Sequence, residues 1–496
     1  MNRPPLGTSV IVGALVLGSV LTGSSDGSAD RIGAGGAQSV EVVGVTAVCP
    51  DIRQRPGMIA SRVSVGAAPL PAGRSGADGA VAAVPVGRGG ADQQVGVTGP
   101  GQVAVGLATK ISNDGLVLSA TGGLAAGLEV EQVTRGSAGA ERGLAGVRCE
   151  APARESWFVG GATAVGDITH LVLANVDDTP STVDVSIFSA RGAADSRLGQ
   201  GITVRPHSRT VINLDELAPD QRMLAVRVLS RRGRVAAALK HARLDGRTTK
   251  GVDYVPRSVP PASSVVVPGF PRGPGTRVLL IANPGADATT IKVRVTTADG
   301  QFVPTGFDDV LVPAGTAIGL RLDGLTNISP LAATVTSDGA PIIAGGVVHD
   351  RQDSRIQEMA YTGGSRPLSG PALLTDLVID RPTESTLILS ALEAAATMRV
   401  TPIRVLGTVG ALPAPKLLTV PAGRTATLRL STFYPPGTKT RLAVEVAALD
   451  GSGPVYAARY LRERAASGPL TTLLDLQGPA QRVSRPLVYR DPSLGS

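Results

Sequence analysis

HLVLANVDDTPSTVDVSIFSARG (residues 170–192), VLLIANPGADATTIKVRVTTADG (278–300) and STLILSALEAAATMRVTPIRVLG (385–407) are three versions of one segment, starting 108 and 107 residues apart. Each reads as an apolar strand, a small polar turn and a second strand that ends at a glycine, so the chain is a tandem array. Alternation sharpens the strand assignment. In residues 182–188 Val183, Val185 and Ile187 share one face, and in residues 290–295 Ile291, Val293 and Val295 do the same. Asp184, Ser186, Lys292 and Arg294 fall on the other face, as in an antiparallel sheet with one wet side.

The likeness continues beyond these strands. A Val-x-Pro or Val-Pro step follows each copy, at Pro206, Pro313 and Pro421, and each unit closes with strand, glycine turn and strand around Gly233, Gly339 and Gly451. Six or seven short strands in each unit of roughly 100 residues predict an all-β chain of tandem immunoglobulin-like β-sandwich modules. The expected modules span residues 151–260, 261–370 and 371–496. Pro-rich joints at 255–261 and 366–371 leave open whether the modules form a rod or fold back on one another.

Ahead of the modules, Arg3, an apolar run at 6–21 and a Gly/Ser/Asp-rich stretch at 22–30 have the layout of an export signal or signal anchor, placed at residues 1–29. Residues 30–38 read as a flexible spacer, and 39–150 as an atypical N-terminal β domain. Within it, the Ala/Gly/Pro-rich stretch 67–101 reads as a long loop or mobile insertion. Both cysteines, Cys49 and Cys149, fall in this domain. In an oxidising compartment a disulfide between them is the expected state, and two buried reduced thiols are the alternative.

Residues 123–161, GLAAGLEVEQVTRGSAGAERGLAGVRCEAPARESWFVGG, followed by the 170–185 strand pair, resemble an actinobacterial family of exported proteins of unknown function. The VRCEAP block (147–152) and WFVGG block (157–161) carry most of the likeness, together with the steps at 267–269 and 280–285. The resemblance implies a secreted or signal-anchored envelope protein with a link to cell-surface polymers. It brings no catalytic residues. The third module departs from it, with Ser390-Ala391-Leu392 where the second has Asn283-Pro284-Gly285.

The net charge of +8 is carried mainly by arginines spread through every module, not by a basic run interleaved with aromatics. With aromatics at 3% of the chain, stacking platforms for nucleic acid or sugar are scarce, and no nucleic-acid partner is expected. The sequence lacks HExxH, Ser-x-x-Lys, a P-loop and a dinucleotide-binding glycine motif, so no enzyme activity, cofactor or metal is expected.

Of the four histidines, His241 and His349 occupy like positions, in His241-x-Arg243-x-Asp245 and His349-x-Arg351-x-Asp353. On a strand this pattern lines three side chains on one face, able to hold an anion or, less well, a metal. The plainer reading is an exposed strand end with an Arg–Asp cross-link, of little energetic weight. Trp157, the lone tryptophan, reads as a core residue, with docking of a partner as the alternative. The functional expectation is a non-enzymatic, extracytoplasmic envelope protein that acts as a scaffold, spacer or interaction module, in contact with an envelope protein or surface polymer. An accessory role for a surface polysaccharide comes second and an unrecognised hydrolase third. If uncleaved, the N-terminal segment adds a membrane contact.

Overall fold

The computed structural model describes residues 38–50, 54–55, 59–69, 79–87, 93–106, 115–194, 196–351, 357–380, 382–435, 437–479 and 482–485. The predicted export segment lies outside them. The chain divides into a compact unit, Glu41–Val483, and a second unit made of its two ends. In the second, residues 38–40 and 484–485 are described, as parts of two short strands.

The fold is all-β and built of sandwiches, as the alternation requires. Val183, Val185 and Ile187 are buried in the core of the first predicted module, and Ile291, Val293 and Val295 in that of the second. The wet-face assignment holds for Lys292 and Arg294. It fails for Asp184, which is buried because its carboxylate accepts a 2.9 Å bond from the Gly201 amide and pairs with Arg231.

Each predicted module contains eight principal strands in two sheets of constant order. In the first module these are Glu155–Val159, Asp167–Asn175, Ser181–Ser189, Ile202–Val204, Ser208–Asn213, Leu224–Arg232, Ala236–Asp245 and Thr248–Val255. The first, sixth, third and fourth strands form one sheet; the fifth, second, seventh and eighth form the other. The modules beginning at Ser264–Phe270 and Ala372–Ile379 repeat that order.

The N-terminal domain is a fourth copy. Gly44–Cys49, Leu116–Thr121, Val81–Pro85 and Gln93–Gln94 pair in the order of the first sheet. Val103–Val105, Ile59–Ala67, Leu128–Gly136 and Gly143–Arg148 pair in the order of the second. The stretch 67–101 is therefore not wholly the loop that its composition suggests. Ala67, Ala68, Val81, Ala83, Val86, Val95 and Val97 are buried, because small apolar side chains suffice to fill a sandwich this narrow.

Rod and folded-back arrangements are decided in favour of the latter. The eighth strand of each copy is its closing strand: Gly143–Arg148, Thr248–Val255, Gln357–Gly363 and Gly468–Leu476. Each packs on the closing strands of the preceding and following copies, and the fourth packs on the first, so the four form a closed ring. The backbones approach so tightly that side chains are excluded. A Cβ on Gly146 would lie 2.6 Å from Thr472 Oγ1, and one on Gly251 would lie 2.4 Å from the Met359 nitrogen.

Candidate functional site

The centre of the ring is polar. Asp253, on the second closing strand, is fully buried and gathers the other three. Its Oδ1 accepts from the Gly146 amide at 3.0 Å and from Thr472 Oγ1 at 2.9 Å, and its Oδ2 accepts from the Tyr361 amide at 3.0 Å. Burial pushes this carboxyl well above the usual range, while these donors pull the other way.

Each junction between neighbouring copies carries its own polar bridge. Between the first and second, Lys240 Nζ lies 2.7 Å from Glu141 Oε2. Between the second and third, His241 Nδ1 and the Tyr361 hydroxyl are 2.7 Å apart. Between the third and fourth, Asp350 holds Arg277 Nη2 at 2.9 Å and accepts from the Tyr460 hydroxyl. Between the fourth and first, Arg459 Nη1 reaches Glu131 Oε2 at 3.4 Å, and the Thr375 hydroxyl donates to the same oxygen at 2.9 Å. Arg277 and Arg459 are the largest fully buried side chains among the described residues, which makes these bridges geometric keys: removing one partner strands a buried charge.

The sequence-predicted residues take varied places. Cys49 and Cys149 form the expected disulfide, tying the first strand of the N-terminal copy to the end of its closing strand. His241 does not sit at an exposed strand end. It is 2% exposed and spans Tyr361 and Asp167, whose Oδ1 is 3.0 Å from Nε2. Arg243 is directed to Asp167 as well, at 3.7 Å, and not to Asp245, which is exposed beside Lys250. The expected Arg–Asp cross-link along the strand is absent there because Asp167 of the adjacent strand offers a nearer carboxylate.

His349 is half-buried, and its imidazole is pushed down to about 4, chiefly by burial and then by Arg243 and His241 nearby. The two histidines are thus neighbours in charge without being equivalent in register. His170 opposes Lys240 and its counterpart Val278 opposes Val347, which makes Val348 the partner position of His241. A slip of one residue turns a side chain to the other face. Asp350, not His349, points into the junction. Arg351 is exposed, and Asp353 lies outside the described residues.

Trp157 is 4% exposed, stacked on Phe188 at 6.1 Å with Arg227 over its ring at 5.2 Å. It is a core residue. The alternative of a surface aromatic that docks a partner is overturned by that burial.

A groove of about 580 Å³ opens at the C-terminal ends of the closing strands, lined by Arg148, Glu150, Arg257, Arg366, Asp475 and neighbours. Sequence reading passed over these residues, although a signal was present: Arg148, Arg257, Arg366 and Asp475 are each 109 residues from the next. Arg148 ends its closing strand and Asp475 lies next to last in its own, while Arg257 and Arg366 follow theirs by two and three residues. Among the described residues no group of three or more His, Cys, Asp or Glu side chains is placed to hold a metal ion.

The repeat shared by the copies is also what a comparison with known families recognises: the model of a family of unknown function, DUF5719, matches residues 101–412. The chain belongs to the DUF5719 family. The match starts just before Val103–Val105 in the first copy, covers the second and third, and stops after Ala396–Ile403 in the fourth, so the DUF5719 signature runs across the ring and not within a single sandwich. No curated protein and no solved structure matches the chain. The DUF5719 assignment therefore brings no activity with it, and the functional reading rests on the geometry.

Proposed function

We propose that this protein is a non-enzymatic, exported component of the cell envelope that works as a rigid interaction platform, presenting fixed grooves between its four sandwiches. The observation that carries the reading is the closed ring around Asp253. Copies locked to one another by buried polar bridges cannot swing as a string of spacers would, and the clefts between them keep their shape. The Cys49–Cys149 bond supports an oxidising, extracytoplasmic setting. The apolar run at residues 6–21 supports export.

A second reading is favoured by the groove that Arg148, Arg257 and Arg366 line: an accessory or binding role for a surface polysaccharide or related polymer. Nucleic acid has no place in either. Fractionation of cells carrying the full chain, with thiol alkylation before and after reduction, tests the setting. Recovery in the cytoplasm with two free thiols would sink it. Retention of the oxidised protein on separated envelope fractions tests the role: capture of one membrane or envelope protein in high salt supports the platform, and capture by an isolated polymer supports the second reading.

A further inference from the structure

Around the groove at the ends of the closing strands, the arginines differ in how fully they are satisfied. Arg148 pairs with Glu129 through Nη2, while its buried Nη1 has no hydrogen-bond partner among the described residues. Arg257 Nη2 lies 2.8 Å from Glu150 Oε2, both about one-third exposed. Arg366 is exposed and makes no ion pair among the described residues. Asp475, the fourth member of the 109-residue series, accepts from Gln477 at 2.5 Å.

Glu129 and Glu150 are thus committed to Arg148 and Arg257. The Nη1 of Arg148 is closed off from solvent, so the donor capacity left over at the groove is the exposed Arg366 fork. A planar guanidinium matches the paired oxygens of a carboxylate or phosphate. Asp475 breaks the arginine series and adds a carboxylate to the lining.

The groove is also open lengthwise. It shares Glu150, Arg257, Arg366 and Gln477 with a cleft of about 280 Å³ on one side, and Val45, Thr46, Leu128 and Ala151 with one of about 540 Å³ on the other. A linear molecule fits such a run better than a compact one.

We propose that this groove binds an oxyanion group, carboxylate or phosphate, of an extracytoplasmic polymer, with the exposed Arg366 fork as its donor and Arg257 shared with Glu150. The ligand class deepens the polymer-binding reading and rests on it.

The test is calorimetric titration of the oxidised full chain with inorganic phosphate, polygalacturonate, poly(glycerol phosphate) and neutral dextran, at low and high salt. Arg366→Glu and Arg366→Ala serve as variants; the side chain is exposed, and an unchanged melting temperature verifies the fold. The expected result is binding of at least one charged polymer, weakened tenfold or more by Arg366→Glu and severalfold by Arg366→Ala or high salt, with none to dextran. The better of the two polymers identifies the source of the oxyanion.

Equal affinity of wild type and Arg366→Glu would overturn the site while leaving polymer binding in place. Phosphate binding that Arg366→Glu abolishes, with no polymer retained, would uphold the oxyanion site and remove the polymer. Failure of phosphate and both charged polymers would overturn the proposal outright.

Discussion

Thr472 donates a 2.9 Å hydrogen bond to Asp253 across 219 residues of chain, and with the Gly146 amide on the same oxygen it joins first, second and fourth copies at one carboxylate. Asp253→Ala leaves several buried donors without an acceptor, each costing about 1–3 kcal/mol. The expected loss of unfolding free energy is about 3–5 kcal/mol, against about 1 kcal/mol for Thr472→Val. Chemical denaturation measures both, and a loss below that of Thr472→Val in the aspartate variant would show that Asp253 does not hold the ring.

Glu358, on the third closing strand, is fully buried; its Oε1 accepts from the Val252 and Met359 amides, and burial pushes its pKa well above the usual range. The folded protein therefore keeps a proton that the unfolded chain has released. Its contribution is fully present below the unfolded value of about 4.3 and is lost as pH rises through the folded value. His349 acts with the opposite sign: its folded pKa of about 4 lies below the ordinary 6.5, so its contribution is present above 6.5 and lost as pH falls toward 4. Melting temperatures recorded from pH 4 to 9 should show Glu358→Gln flattening the decline on the alkaline side and His349→Gln the decline on the acid side. Unaltered profiles would refute both assignments.

As the only tryptophan, Trp157 reports on the second copy alone. Because the junctions are buried on both sides, its fluorescence should change in the same denaturant transition as the far-ultraviolet signal of all four copies. Two separated transitions would mean that the copies are thermodynamically independent. Trp157→Ala should cost about 3–5 kcal/mol through the cavity left against Phe188.

Reduction of Cys49–Cys149 frees a loop spanning 100 residues. The expected loss is about 2–5 kcal/mol, read as a lower melting temperature in reductant, and Cys49→Ser with Cys149→Ser should reproduce it. A double variant that melts like wild type would show that the bond adds nothing to the folded ring.

Three sandwiches were legible because alternation at Val183–Ile187 and Ile291–Val295 and the glycine turns recur at nearly constant spacing. The fourth was hidden by degeneration of its strands. Gln93–Gln94 and Val103–Val105 are too short to show a period, and the small residues between Ala67 and Val97 look like loop although many are core. The exposed-end reading of His241 failed for a different reason: its partners, Asp167 and Tyr361, come from another strand and another copy, and spacing along one strand does not reveal them. The 109-residue series of arginines was readable, but only the sheet order shows that the four positions converge.

Ring closure also sets the arithmetic by which such a gene can change. Open tandem arrays gain or lose units by unequal recombination, since each unit touches only its neighbours and an end is always free to receive another. Here Gly143–Arg148 already lies against Gly468–Leu476. A fifth unit would have no unoccupied edge, and a third-only descendant would expose the Asp253 carboxylate side of its neighbours. The ring seats four copies with no edge left over, and what distinguishes one quarter from another is what it displays, as Asp475 does where the other three contribute Arg148, Arg257 and Arg366.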